Sequence, residues 1–131
     1  MQITLKPGER IFLNGAVIRV DRKVTIELMN DVAFLLESHV LQVEDTTTPM
    51  RQLYFIVQTM LIEPRKEAAA RKLFREQLAG LMVSFQSESI VVALAQVGSF
   101  VDAGRLFDAL RTIRRLFLVE ATILGGTPKA A

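Results

Sequence analysis

The spacing of apolar residues changes once along this chain, and that change constrains the fold more than any other feature. From Gln2 to about Gln42 apolar and polar residues tend to alternate. From Thr48 onward they recur at helical spacing. A period of two places one set of side chains on one face of a strand, and a period near 3.6 places them on one stripe of a helix. A chain that switches once predicts an α+β fold. We expect a small antiparallel β-module over residues 1–45, followed by a bundle of about four helices over residues 46–131.

The strand half is punctuated by turns. Ile3 and Leu5 alternate with polar neighbours before Pro7-Gly8, and Ile11 and Leu13 lead into Asn14-Gly15. Asn-Gly is among the strongest short hairpin signals, because both residues tolerate the positive φ of a type I′ turn. Val17 to Val20 returns, Asp21-Arg22-Lys23 bends, and Val24, Ile26 and Leu28 alternate again before Asn30-Asp31. Ala33 to Leu36 and His39 to Leu41 complete five or six short strands, as in a compact antiparallel sheet or sandwich.

Thr48-Pro49 then supplies a cap and a first-turn proline, which together start a helix. Met50, Leu53, Tyr54, Val57, Met60 and Leu61 form its stripe, and Glu63-Pro64 stops it. A second helix is expected from about Arg65 to Gln86, with Leu73, Phe74, Leu78, Leu81, Met82 and Phe85 as its apolar stripe. Ser87 or Ser89 caps a third helix. Ile90 to Val101 is apolar on nearly every face, which predicts a central position in the bundle. Gly98, Asp102 and Gly104 weaken helicity around a bend. The last helix is expected from about Arg105 to Leu124, ended by Gly125-Gly126, with Thr127 to Ala131 as a frayed tail.

Composition excludes several classes of function. Half of the 131 residues are apolar, enough for a core; at this size roughly two-thirds of the unfolded chain's surface can be buried. There is no cysteine, so disulfides, thiolate nucleophiles and cysteine zinc sites are out. The single histidine, His39, rules out a multi-histidine metal site. No glycine loop cradles phosphate, and no serine sits in a nucleophile elbow. Glu44-Asp45 is explained by the helix start that follows it. Neither a cofactor nor an enzymatic activity is expected. The N-terminus lacks a signal peptide's apolar run, and no stretch approaches the ~20 residues that span a bilayer. A cytoplasmic protein without a membrane partner is the expectation.

Charge is unevenly shared. The formal net charge is +2. Residues 1–45 carry five basic and seven acidic groups, and residues 46–131 carry eleven and seven, so the halves are −2 and +4. Contact with a polyanion should therefore involve the helical half. Arg65, Lys66, Arg71, Lys72 and Arg75 cluster along the second helix. Arg111, Arg114 and Arg115 occupy a narrow arc of the last, opposite Leu106, Leu110, Ile113 and Phe117. Such arcs can align guanidinium groups with phosphates, and these eight residues are the RNA-binding candidates. The same pattern also serves as a solvated face that keeps an apolar bundle soluble. No RNA-recognition motif or KH loop is legible, and with no Trp and one Tyr there is little stacking surface. Tyr54 reads as core, and His39 as a half-exposed strand residue.

Two segments are distinctive together. One runs Leu5-Lys6-Pro7-Gly8-Glu9-Arg10-Ile11-Phe12-Leu13-Asn14-Gly15-Ala16-Val17-Ile18-Arg19-Val20-Asp21-Arg22-Lys23. The other comprises Asn30-Asp31-Val32-Ala33-Phe34-Leu35-Leu36-Glu37, His39-Val40-Leu41-Gln42 and Thr48-Pro49-Met50-Arg51-Gln52-Leu53-Tyr54-Phe55. These resemble the FlbT family of flagellar regulators of α-proteobacteria over nearly the whole chain. The resemblance implies a cytoplasmic post-transcriptional regulator that associates with the 5′ untranslated region of flagellin messenger RNA and promotes its decay, functionally paired with FlaF. It carries no residue-level RNA contacts. The start of the chain, from Leu5 through Pro7-Gly8-Glu9 to Asn14-Gly15, Val17 and Arg19, is also similar to CsrA, a small β-stranded RNA-binding regulator, over about a third of the chain. CsrA-like proteins read RNA with a basic residue late in the module, whereas Glu37, Ser38 and His39 stand there in this chain.

The partner implied is the flagellin mRNA 5′ leader. A second reading is a protein-interaction or chaperone-like module that binds FlaF or flagellin through the helical bundle, with indirect effects on mRNA. The apolar third helix and the Met-containing first helix suit helix-in-groove recognition, and equally a plain core or a homo-oligomer interface.

Overall fold

A computed structural model describes residues 1–125. The expected stop at Gly126 and the tail Thr127 to Ala131 lie outside the described residues. Five strands come first: β1 (Gln2–Leu5), β2 (Arg10–Leu13), β3 (Ala16–Arg19), β4 (Val24–Glu27) and β5 (Phe34–Leu36). Four α-helices follow: α1 (Pro49–Ile62), α2 (Glu67–Ser84), α3 (Glu88–Asp102) and α4 (Leu106–Gly125). The α+β order matches the single change of period.

The strands form two small antiparallel sheets. β1 pairs with β4, Gln2 opposite Glu27 and Leu5 opposite Val24. β2 lies between β3 and β5, with Leu13 opposite both Ala16 and Phe34. Asn14 and Gly15 form the two-residue loop between β2 and β3, with φ of 48° and 87°, the geometry that a right-twisted hairpin demands. A side chain at Gly15 would also meet Pro64, with Cβ 3.2 Å from Pro64 Cγ. The hairpin tip is therefore seated on the corner between α1 and α2. All four residues of β3 are exposed, making it an open edge.

No strand forms at His39 to Leu41. The chain instead takes a 3-10 turn over Glu37–His39 and a second over Val43–Asp45. The reason lies in α1. The Gln58 amide accepts from Leu41 N–H and donates to Leu41 C=O, both at 2.8 Å. Tyr54 Oη donates to His39 C=O at 2.6 Å. Helix side chains satisfy the backbone groups that a strand partner would have taken.

Helix α1 starts as its sequence dictates. Thr48 Oγ1 accepts from Arg51 N–H at 3.2 Å, and Pro49 fills the first turn. A second acceptor comes from the far end of the chain: Glu120, 1 % exposed, takes the Met50 N–H at 2.8 Å. A carboxylate there complements the positive end of the helix dipole. Met50, Leu53, Tyr54, Val57, Gln58, Met60 and Leu61 are all buried; each large apolar side chain so buried contributes about 1.5–3 kcal/mol.

Helix α1 packs on both α2 and α4, whereas α3 packs mainly on α4 and lightly on α2. α1 is therefore the central helix, not α3. Its apolar sequence notwithstanding, α3 buries only Ile90, Leu94, Val97 and Val101, and leaves Val92 half exposed. Gly98 does not bend α3; it lets Leu78 of α2 approach, since a Cβ there would lie 3.1 Å from Leu78 Cδ2. The chain turns later, at Gly104. Leu73, expected in the apolar stripe of α2, is 55 % exposed, and Ala70 takes its place in the core beside Phe74 and Leu81. Arg65 and Lys66 precede α2 in a 3-10 turn, Pro64–Lys66.

The strand and helical halves share apolar contacts. Leu35 joins the helical core, with Phe12, Val40 and Leu41 packed against it. Phe107 of α4 joins the strand core of Ile3, Leu5, Ile11 and Phe34. Its ring stacks on Phe34, centroids 4.6 Å apart.

Candidate functional site

Packing assigns the eight candidate cations to different jobs. Arg71 is three-quarters buried, donates to Val101 C=O at 3.1 Å and pairs with Glu67 at 2.8 Å. It thus ties α2 to the C-terminal end of α3, where cations are favoured. Arg114 leaves the exposed arc. Its guanidinium donates to Tyr54 Oη at 3.0 Å, and Tyr54 donates onward to His39 C=O. This chain of bonds links α4, α1 and the turn after β5. Tyr54 itself is fully buried, edge-on to Phe117 at 5.4 Å.

Lys66 pairs with Glu63 at 3.3 Å, both well exposed. Arg111 pairs with Asp108 at 3.2 Å and lies over Phe107, 5.7 Å from the ring centre. Arg65, Lys72, Arg75 and Arg115 are exposed and have no ion-pair partner among the described residues. α2 and α4 each flank α1 without packing closely on each other, so they stand at diagonal corners of the bundle. The two basic rows are thereby separated: Lys72 and Arg75 on one helix, Arg111 and Arg115 on the other.

The α4 row begins earlier than its sequence pattern indicated. Arg105, in the corner before the helix, pairs with Asp108 Oδ2 at 2.7 Å while Arg111 holds Oδ1. Arg105, Asp108, Arg111 and Arg115 recur every three or four residues and share one face. One carboxylate with two guanidiniums leaves a net positive group whose spare N–H donors point elsewhere. Arg105 and Asp108 were missed because an alternating acid–base run reads as a solvated helix face; only the cleft beside them distinguishes it.

Three titrations reflect these contacts. Burial holds the His39 imidazole below its ordinary value, and the charge of Arg114 adds to this. Burial pushes the Tyr54 phenol up, against the opposing hydrogen bond from Arg114. The Glu37 carboxyl is held low by hydrogen bonds from the Arg10 backbone and side chain.

A small α+β domain with basic rows on two helices and an open strand module is the class that these features define. The chain belongs to the FlbT family: the family described as flagellar protein FlbT matches residues 1–124. It is 55 % identical over 126 residues to the probable flagellum biosynthesis repressor protein FlbT of Mesorhizobium japonicum, covering 96 % of this chain and 86 % of that protein. Proteins of the same name from Brucella ovis and Rhizobium etli are each 52 % identical, over 128 residues (98 % of this chain, 84 % of the relative) and 124 residues (95 % and 83 %). No solved structure matches the chain significantly. No helix among the described residues is long and apolar enough to cross a membrane.

Proposed function

We propose that this protein is a cytoplasmic repressor of flagellum biosynthesis that binds the 5′ leader of flagellin messenger RNA and promotes its decay. One observation carries the reading: exposed arginines and lysines without ion-pair partners among the described residues, on helices of a half whose net charge is +4. A cation that must give up its carboxylate to meet a phosphate gains less than one facing water, whereas a guanidinium with spare N–H donors can keep its carboxylate and still bind. The assigned names of the relatives support the flagellar part of the reading. Decay would follow from altered access of ribosomes or nucleases to the leader. The protein acts in this reading by binding, not by catalysis.

The direct test is binding of purified protein to a flagellin leader RNA across a salt series, with and without FlaF. Affinity should fall steeply with salt, with a logarithmic slope of about 0.7 for each phosphate contacted on a single strand. Arg114 is engaged by Tyr54, so the informative variants are Arg111→Gln with Arg115→Gln, and Lys72→Gln with Arg75→Gln. Loss confined to one pair identifies the helix that meets RNA. Unchanged affinity and slope in both pairs removes the arginine rows from the reading.

A second reading rests on a different feature. At the end of the bundle a groove of about 380 Å³ runs between α2 and α4, lined by Leu81, Phe85, Ile123 and Leu124. It suits a protein-interaction or chaperone-like role toward FlaF, flagellin or a second copy of the chain. Binding there would be far less sensitive to ionic strength than phosphate contact.

A further inference from the structure

We infer that the cleft between the strand module and the corner joining α3 to α4 is a nucleotide seat, which takes one unstacked base of single-stranded RNA and grips the adjoining phosphates with Arg105 and Arg111. This inference rests on the RNA reading above and names the place where it acts. The cleft has a volume of about 610 Å³ and is bounded by Met1 and the segment 28–34 on one side, and by residues 104–108 with Arg111 on the other. That size falls within the range of small-ligand sites, about 300–1,000 Å³.

Its lining has the three parts that single-strand recognition uses: an apolar wall, polar groups for a base edge, and cations for the backbone. The wall is Phe107, fixed by its stack on Phe34, with Met29, 83 % exposed, at the rim. A large apolar side chain left that open offers a base a sulfur-bearing, deformable surface. Asn30 and Asp31 line the same side, supplying a donor and acceptors for a base edge.

The cations are Arg105 and Arg111, held 2.7 and 3.2 Å from the two oxygens of Asp108. Arg105 also lies over Phe100, 5.2 Å from the ring centre. These contacts fix both guanidiniums before a ligand arrives, so less side-chain entropy is lost when a phosphate accepts their spare donors. Their side chains remain 62 % and 48 % exposed, so those donors are accessible. Arg115 lies one turn beyond Arg111 and extends the row away from the cleft. From Arg105 to Arg115 the helix advances ~15 Å, room for a strand to run from the seated base along α4. Neither half of the chain forms this cleft alone.

The test uses the full chain and a fluorescein-labelled single-stranded flagellin leader RNA. Met29→Glu places a negative charge at the rim of the cleft on a side chain that packs little, so folding should be unaffected, as checked by circular dichroism. It should weaken RNA binding on the order of tenfold or more, the cost of setting a carboxylate against a phosphate or base. Arg105→Gln should weaken it on the order of tenfold and lower the salt slope by about 0.7. Ultraviolet cross-links should map to segments 28–34 and 104–111. If wild type binds the RNA but Met29→Glu and Arg105→Gln bind it equally well, the seat is elsewhere and the broader reading survives. If wild type does not bind the RNA at all, both fall. If Met29→Glu keeps full RNA affinity but loses an acidic or apolar protein ligand, the cleft is a peptide site and the nucleotide assignment is overturned.

Discussion

Helices α1 and α3 are both rich in apolar residues, and α3 has the longer unbroken apolar run: Ile90 to Ala95, against Leu53 to Val57 in α1. Yet α1 is enclosed by α2, by α4 and by the segment 37–42, while α3 is covered on little more than one side. The difference teaches that position in a bundle follows the size and bonding capacity of side chains, not mean apolarity. α3 is built largely of Val and Ala, which cover little area. α1 offers Met, Leu and Tyr, together with an amide and a phenol that the neighbouring backbone requires. Buried polar groups with partners specify a location; apolar groups accept several.

The sharpest way to break this contrast is to remove the amide. Gln58→Leu leaves the Leu41 N–H and C=O without partners in a part-buried site. It should cost about 2–4 kcal/mol, read as a lower urea midpoint. The matched change in α3, Val92→Gln, should stay within about 0.5 kcal/mol, because that side chain is half exposed. Similar losses from both would mean that the two helices are equally central.

A second, smaller effect concerns the seam between hairpin and bundle. Gly15→Val meets two obstacles: a β-branched side chain at φ of +87°, and Pro64 Cγ 3.2 Å from the new Cβ. We expect about 2 kcal/mol of destabilisation. Gly15→Ala meets the same backbone strain and the same first clash, without the extra methyl groups, and should cost less. Equal stability of Gly15→Val and wild type would contradict the turn.

These positions also mark what could be read from the sequence. The Asn14-Gly15 turn and the Thr48-Pro49 helix start were legible, because each is signalled by residues within one turn of itself, and the burial of Tyr54 was legible from its place in the apolar stripe of α1. The failed strand at His39 to Leu41, the central place of α1 and the exposure of Leu73 were not. The failed strand is decided by partners 15 and 17 positions away, Tyr54 with His39 and Gln58 with Leu41, and the place of α1 by its packing on both α2 and α4. The candidate site divides in the same way. Helical spacing located rows of arginines, but it could not separate Arg114, drawn inward by Tyr54 sixty positions earlier, from Arg115 facing water. Nor could it join Arg105 to the segment 28–34 across the cleft.

Arg114 and Arg115 therefore make a natural pair for a third measurement. Arg114→Gln removes the charged donor to Tyr54 and should cost about 1 kcal/mol. Arg115→Gln should change stability by less than about 0.5 kcal/mol, while affecting RNA affinity if α4 is the binding face. Stability loss without loss of RNA affinity for Arg114→Gln, and the reverse for Arg115→Gln, would separate the scaffold from the surface.

The smallest effect tests the same pair through a proton. His39 is the only histidine, so its ring signals can be followed by NMR without ambiguity. Burial first, and the charge of Arg114 second, hold its folded titration below the ordinary value of 6.5. The unfolded chain therefore takes up a proton first as pH falls. The contribution of His39 to stability is fully present above about pH 6.5 and is lost as pH drops through the folded midpoint. Glu37, two residues away, acts in a lower window: its folded midpoint lies below the ordinary 4.5, so its contribution is present above that pH and lost on further acidification. In Arg114→Gln the charge is gone but the burial stays, so the His39 midpoint should rise part of the way toward 6.5 and stop short of it. In Arg115→Gln it should not move. A midpoint that ignores Arg114 would mean that this guanidinium does not face the turn after β5, and the contrast between the inward and outward arginines of α4 would lose its electrostatic support.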